Sequence, residues 1–96
     1  MIVNICGVPH KIVECEDSFN MDCHLGQIDY PEAVIKINNK LKGVNKKETI
    51  CHEMVHGMLV HLGYTEMSNN ETLVQGLGNA IMQGFEIKEI KEDCNE

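Results

Sequence analysis

Residues 45–63 read NKKETICHEMVHGMLVHLG, and this stretch decides the fold. Ile50, Met54, Val55, Met58, Leu59 and Leu62 recur at the helical interval and fall largely on one side. Asn45 suits an N-cap, and Glu48 three residues on completes a capping box. Gly63 is well placed as a left-handed C-terminal stop. The spacing predicts a helix over about 46–62.

Downstream, residues 64–70 (YTEMSNN) read as a connector. Ser68 and Glu71 make a second capping box, opening a helix over about 70–84. Leu73, Val74, Leu77, Ile81 and Met82 supply its apolar spacing. Gly76, Gly78 and Gly84 each weaken it by roughly 1 kcal/mol if interior, unless they admit a neighbour closely. The charged run 86–96 is expected to be a last turn or a tail.

Upstream, residues 2–6 and 10–14 read as strands about a turn at 7–9, followed by a polar loop over 15–24. Two further strands, 25–30 and 33–38, are joined by Tyr30-Pro31-Glu32, where proline sets φ for a turn. In the second of these, Ile35 and Ile37 alternate with Val34 and Lys36, giving an apolar and a more polar face. Residues 39–44 connect it to the helix. Strands first and helices after imply an α+β domain spanning 1–96: a small antiparallel sheet of three to four strands packed on two helices.

The 96 residues suffice for one domain with a thin core, and 43% hydrophobic content argues that it folds. Eight basic residues face fifteen acidic ones, and every basic residue is lysine. An acidic chain without arginine is a poor partner for nucleic acid or for anionic lipid. No segment approaches the ~18 apolar residues of a membrane span, and no signal peptide is legible. Cys6, Cys15, Cys23, Cys51 and Cys94 form no C-x-x-C pair, so free thiols in a reducing cytoplasm are expected and a zinc ribbon is not.

The chemistry sits in His52-Glu53-Met54-Val55-His56. Residues four apart share a helix face, so His52 and His56 can grip one Zn²⁺ at ~2.0–2.1 Å. Glu53 lies about 100° around the helix from His52, beside the metal and free to act as general base on a bound water. This H-E-x-x-H pattern carries a mechanism and not only a spelling. A catalytic zinc wants a third protein ligand and an open position. His61 lies about 140° around the helix from His56 and points away. Glu66 and Glu71 remain candidates. Glu71 is favoured, because a helix returning antiparallel to the first brings a carboxylate there; the competing reading leaves it in the capping box with Ser68. Gln75, one turn on, faces the same way as an outer partner. Tyr30, Tyr64 and His24 are candidate donors to an oxyanion. Cys51 reads as a buried structural thiol.

The runs GQIDYPEAVIKIN, KKETICHEMVHGMLVHLGY and NNETLVQGLGNAI resemble small phage and prophage proteins related to the ImmA/IrrE-type metallopeptidases, over roughly residues 25–82. That resemblance implies a minimal gluzincin-like fold, with His52 and His56 as histidine ligands, Glu53 as base and Glu71 as third ligand. It implies a zinc-dependent peptidase acting on a protein substrate, a phage or host regulatory protein such as a transcriptional repressor. Residues 25–30 or 33–38 would then be the edge strand that aligns the substrate. The alternative is a non-catalytic, anti-repressor-type binder on the same scaffold. A purely structural zinc would need a fourth ligand, for which the sequence offers no candidate near 52, 56 and 71.

Overall fold

Ile2–Ile5 (β1) and Val8–Cys15 (β2) pair antiparallel around a two-residue turn, Cys6-Gly7, in which both residues have positive φ. That is the turn whose twist matches a hairpin. Val8 and Pro9, expected in the turn, are therefore already in the strand. The computed structural model describes residues 1–16 and 25–90. Most of the expected 15–24 loop, with Cys23 and His24, and the end of the charged run, with Cys94, lie outside the described residues.

Gly26–Asp29 (β3) and Val34–Asn38 (β4) form a second hairpin across the Pro31 turn. The sheet order is β1-β2-β4-β3, and β2 runs parallel to β4. The sheet is thus mixed, which corrects the antiparallel expectation. The reason lies in the strands' own patterns. Ile35 and Ile37 of β4 are fully buried, so β4 takes an interior position. The more polar β3 is left at the edge, where its composition is tolerated.

Gly43–His61 (α1) crosses the sheet, Thr65–Ser68 (α2) is a single turn, and Glu71–Gly84 (α3) packs on α1. The α+β class holds. The boundaries shift: α1 begins at 43, with Lys42 as N-cap and no side-chain cap. Asn45 is therefore interior, and the Asn45–Glu48 box does not form, because Glu48 Oε2 accepts from Gln75 Nε2 at 3.2 Å. The chain leaving β4 already turns at Asn38, whose Oδ1 and backbone O accept from Lys40 N and Leu41 N, so the helix starts early. At its far end, Gly63 N–H bonds Val60 O and Tyr64 N–H bonds Leu59 O at 2.7 Å. With Gly63 at φ +92° this is a Schellman stop. Leu62, expected on the apolar face, is 62% exposed because the helix has ended by then. The connector 64–70 contains α2, and Asn70 caps α3 by accepting from Leu73 N at 3.0 Å. The Ser68–Glu71 box is not made, and both side chains are free for the site described below.

Val3, Ile5, Ile35 and Ile37 of the sheet meet Ile50 and Met54 of α1, with Ile12, Ile28, Met58 and Ile87 around them. Each fully buried isoleucine is worth roughly 1.5–3 kcal/mol against exposure. Residues beyond α3 return to the sheet, where Ile90 N–H bonds Ile2 O at 2.7 Å. The helix lies close to the sheet at Gly57. A Cβ there would stand 3.0 Å from Cδ1 of both Ile5 and Ile28. Gly57→Val should therefore force the helix off the sheet and destabilise by about 1–3 kcal/mol, read as a lower denaturant midpoint.

His10 is fully buried, donates Nδ1–H to Val8 O at 2.8 Å, and meets the His61 ring edge-on at 5.7 Å. His61 thus joins His10 and not the other two histidines of α1. No helix among the described residues is long and apolar enough to cross a membrane.

Candidate metal centre

α1 sets His52 and His56 one turn apart with ring centroids 4.9 Å from each other. Two imidazoles sharing one ion at ~2.0–2.1 Å and a near-tetrahedral angle sit about 5 Å apart. α3 returns antiparallel and brings Glu71 between them: Oε1 is 2.9 Å from His52 Nε2, and Oε2 is 3.2 Å from His56 Nε2. One ligand atom from each of the three lies within 4.8 Å of the others, so the group could hold a metal ion. Of the third-ligand candidates, the structure brings Glu71 to the histidines. Glu66 is exposed on α2, outside this group.

The partners of the other ring nitrogens show which atoms are available. Gln75 donates its amide hydrogens to Glu48 Oε2 and Asn79 Oδ1, so its oxygen faces His52 Nδ1 at 2.8 Å and accepts from it. Ser68 donates to His56 O at 3.4 Å, so its oxygen accepts from His56 Nδ1 at 3.0 Å. Both rings therefore carry hydrogen on Nδ1. Their Nε2 lone pairs face a carboxylate, an arrangement of three electron-pair donors that a proton or a cation must bridge. Outer partners that fix the Nδ1–H tautomer in this way accompany metal-bound histidines. The residues present fit a divalent metal.

Glu53 shares the cleft without joining the triad. It is 7% exposed, and burial pushes its carboxyl up to about 7, with His52 opposing the rise and Glu71 adding to it. A carboxyl poised there can exchange a proton near neutral pH. Its immediate neighbour is β3. A Cβ on Gly26 would stand 2.8 Å from Thr49 Cγ2 and 3.3 Å from Glu53 Cγ. Thr49 is buried and β-branched, so it yields little. Gly26→Ala should displace Glu53 and cost about 1–3 kcal/mol of stability. Thermal unfolding of the variant checks this.

The cleft has a volume of ≈ 610 Å³. Leu25 and residues 26–28 of β3 form one wall, while His52, Glu53, His56, Glu71 and Gln75 line it from the helices. Of the two strands considered for substrate alignment, β3 is the edge, and β4 is hydrogen-bonded on both sides. Tyr30 also lines the cleft, whereas Tyr64 is exposed and does not. Cys51 is buried against α3, its Sγ 3.6 Å from Gly78 O, and burial pushes its thiol pKa up. It is an inert packing group.

Sequence reasoning missed Ser68 as the partner of His56, Glu48 and Asn79 as the holders of Gln75, and Gly26 as the floor beneath Glu53. Ser68 carried a local signal, but that signal pointed to a cap. The others carried none, because each acts across a gap in sequence. The chain matches no protein-family model, no curated protein and no solved structure.

Proposed function

We propose that the chain is a zinc-dependent peptide hydrolase of minimal zincin type, with His52, His56 and Glu71 as ligands and Glu53 as general base. The observation that carries this reading is the convergence of three metal-competent donors and a buried carboxyl of raised pKa in one cleft walled by an edge strand. A two-histidine, one-glutamate set is a zinc donor set that leaves a position open. Among the described residues that could share an ion, those three stand without a fourth, which disfavours a closed structural site.

When bound, zinc would lower the pKa of a coordinated water toward ~7 and polarise the scissile carbonyl. Glu53 takes the proton of the attacking water and passes it to the nitrogen of the leaving amine. Gln75 and Ser68 keep the two imidazoles in the binding tautomer. β3 offers an open strand edge along which an extended substrate backbone can lie. The resemblance to ImmA/IrrE-type proteins suggests a phage or host regulatory protein as substrate.

The test is exposure of the zinc-loaded protein to a random peptide library with mass-spectrometric readout. Cleavage that disappears in Glu53→Gln supports the reading. No cleavage by a fully zinc-loaded protein, with any biological effect retained in Glu53→Gln, would leave a binding protein on this scaffold.

A further inference from the structure

One carboxylate in the cleft neither joins the metal triad nor moves a proton. Glu48 lines the cleft from α1, one helical turn before His52. Its side chain is half-buried, and its Oε2 accepts from Gln75 Nε2 at 3.2 Å. That bond holds the carboxylate in place but does not neutralise it. Among the described residues, the ion pairs join Lys46 to Glu14 and the two histidines to Glu71, and none includes Glu48. The described lining of the cleft contains glutamates at 48, 53 and 71 and no lysine.

The packing of the edge strand fixes which part of a bound peptide reaches this group. A Cβ on Gly26 would meet Thr49 and Glu53, and one on Gly57 would meet Ile28, so β3 runs alongside α1 in the same sense. Glu48 therefore lies at the Gly26 end of the cleft. Leu25 lines the cleft at that end and is 50% exposed. Its backbone O accepts from Asn38 N at 2.9 Å, which anchors it to the end of β4. Along the helix axis Glu48 is about 6 Å from His52. An extended peptide advances about 3.3 Å per residue and turns alternate side chains to one face. The side chain two positions from the one beside the metal is thus the one that meets Glu48.

An exposed leucine beside an unneutralised carboxylate suits one kind of side chain. The methylenes of lysine or arginine cover apolar surface while the charged head reaches a polar group. An acidic side chain in the same place would face like charge and be selected against. We propose that Glu48 is a specificity-determining residue, which forms with Leu25 a subsite for a lysine or arginine two residues from the scissile bond. This placement rests on the hydrolase reading of the cleft. The substrate class is then an extended peptide segment carrying a basic residue. The chain's net charge of -7 acts in the same direction at longer range.

The experiment measures binding, not cleavage. Zinc-loaded Glu53→Gln is titrated with fluorescein-labelled random hexapeptide pools, in which each position in turn is fixed as lysine, norleucine or glutamate. Norleucine keeps the stem of lysine and removes the charge. The titrations are repeated with Glu48→Gln added, and with Glu66→Gln added as a change of equal charge outside the cleft. Glutamine at 48 still offers an oxygen to Gln75 Nε2, and zinc content checks that the metal site is intact. At one position the lysine pool should bind about tenfold more tightly than the norleucine pool, with the glutamate pool weakest. That advantage should vanish with Glu48→Gln and persist with Glu66→Gln. Equal binding of the lysine and norleucine pools, or no binding of any pool, overturns the proposal. A lysine advantage that survives Glu48→Gln overturns it too, as does loss of zinc from that variant, which would make Glu48 a support of the metal site. Library cleavage by the wild type tests the hydrolase reading separately: no cleavage with the lysine preference intact removes the reaction and leaves the basic-peptide subsite.

Discussion

Glu53→Gln should leave metal content unchanged and lower peptide cleavage by about 10²–10⁴-fold. The amide has the shape of the carboxyl and fits the same buried place against Gly26 and Thr49, so the fold should tolerate it. It cannot accept a proton from water, and that one property is what the reaction asks of it. The variant also carries a pH signature. In the metal-free wild type the folded carboxyl has a pKa of about 7 against 4.5 as its ordinary value. The native state then binds this proton more tightly than the unfolded chain does. The sign follows: the wild type loses stability as pH rises from about 4.5 through 7, because an uncompensated charge must be kept buried. Glutamine has no such charge. With chelator present, the variant should therefore be the more stable protein above pH 7, and the two should converge near pH 4. Parallel denaturant melts across this range measure it. A wild type that is flat in pH would mean that Glu53 is solvated and not poised as the cleft implies.

His56→Ala should abolish stoichiometric metal binding. Elemental analysis of the purified wild type is expected to give about one zinc per chain, with none in the variant. The effect is large because, among the described residues, the group has no fourth member: His52 and Glu71 alone make a two-ligand site, and His61 packs against His10. Metal binding is also folding energy when the site does not exist in the unfolded chain. Free zinc at 100 times its dissociation constant adds about 2.7 kcal/mol to the wild type. For a domain of this size that is a rise in Tm of roughly 10–20 °C. The same zinc should not move the melting curve of His56→Ala. Equal shifts in both proteins would place the metal elsewhere on the chain.

The parts of the molecule that were legible in advance are those in which neighbours in sequence are neighbours in space. His52 and His56 share a face because four residues make about one helical turn, whatever surrounds them. The stop at Gly63 is similarly local, since its Schellman bonds reach only to Leu59 and Val60. The alternation of Ile35 and Ile37 announced the buried face of β4 for the same reason. Capping was less reliable. Asn45 and Glu48 spelled a box, yet Glu48 is held by Gln75 from another helix. Ser68 and Glu71 spelled a second, and both side chains turned to His56 and His52 instead. A cap is worth about 1 kcal/mol, a small enough amount for tertiary partners to outbid.

The amino-acid sequence by itself determined the H-E-x-x-H helix, the α+β order of elements and the pair of imidazoles, because these follow from periodicity along one segment. Tertiary structure alone decided that β4 lies between β2 and β3, so that the sheet is mixed and β3 is left at the edge beside the cleft. It also decided that Glu71 rather than Glu66 meets the histidines, that Gln75 and Ser68 set their tautomers, and that Gly26 makes room for Glu53. Each of these depends on how segments far apart in the chain pack together. Burial and hydrogen-bond satisfaction settle that packing over the whole molecule, and no local pattern encodes it.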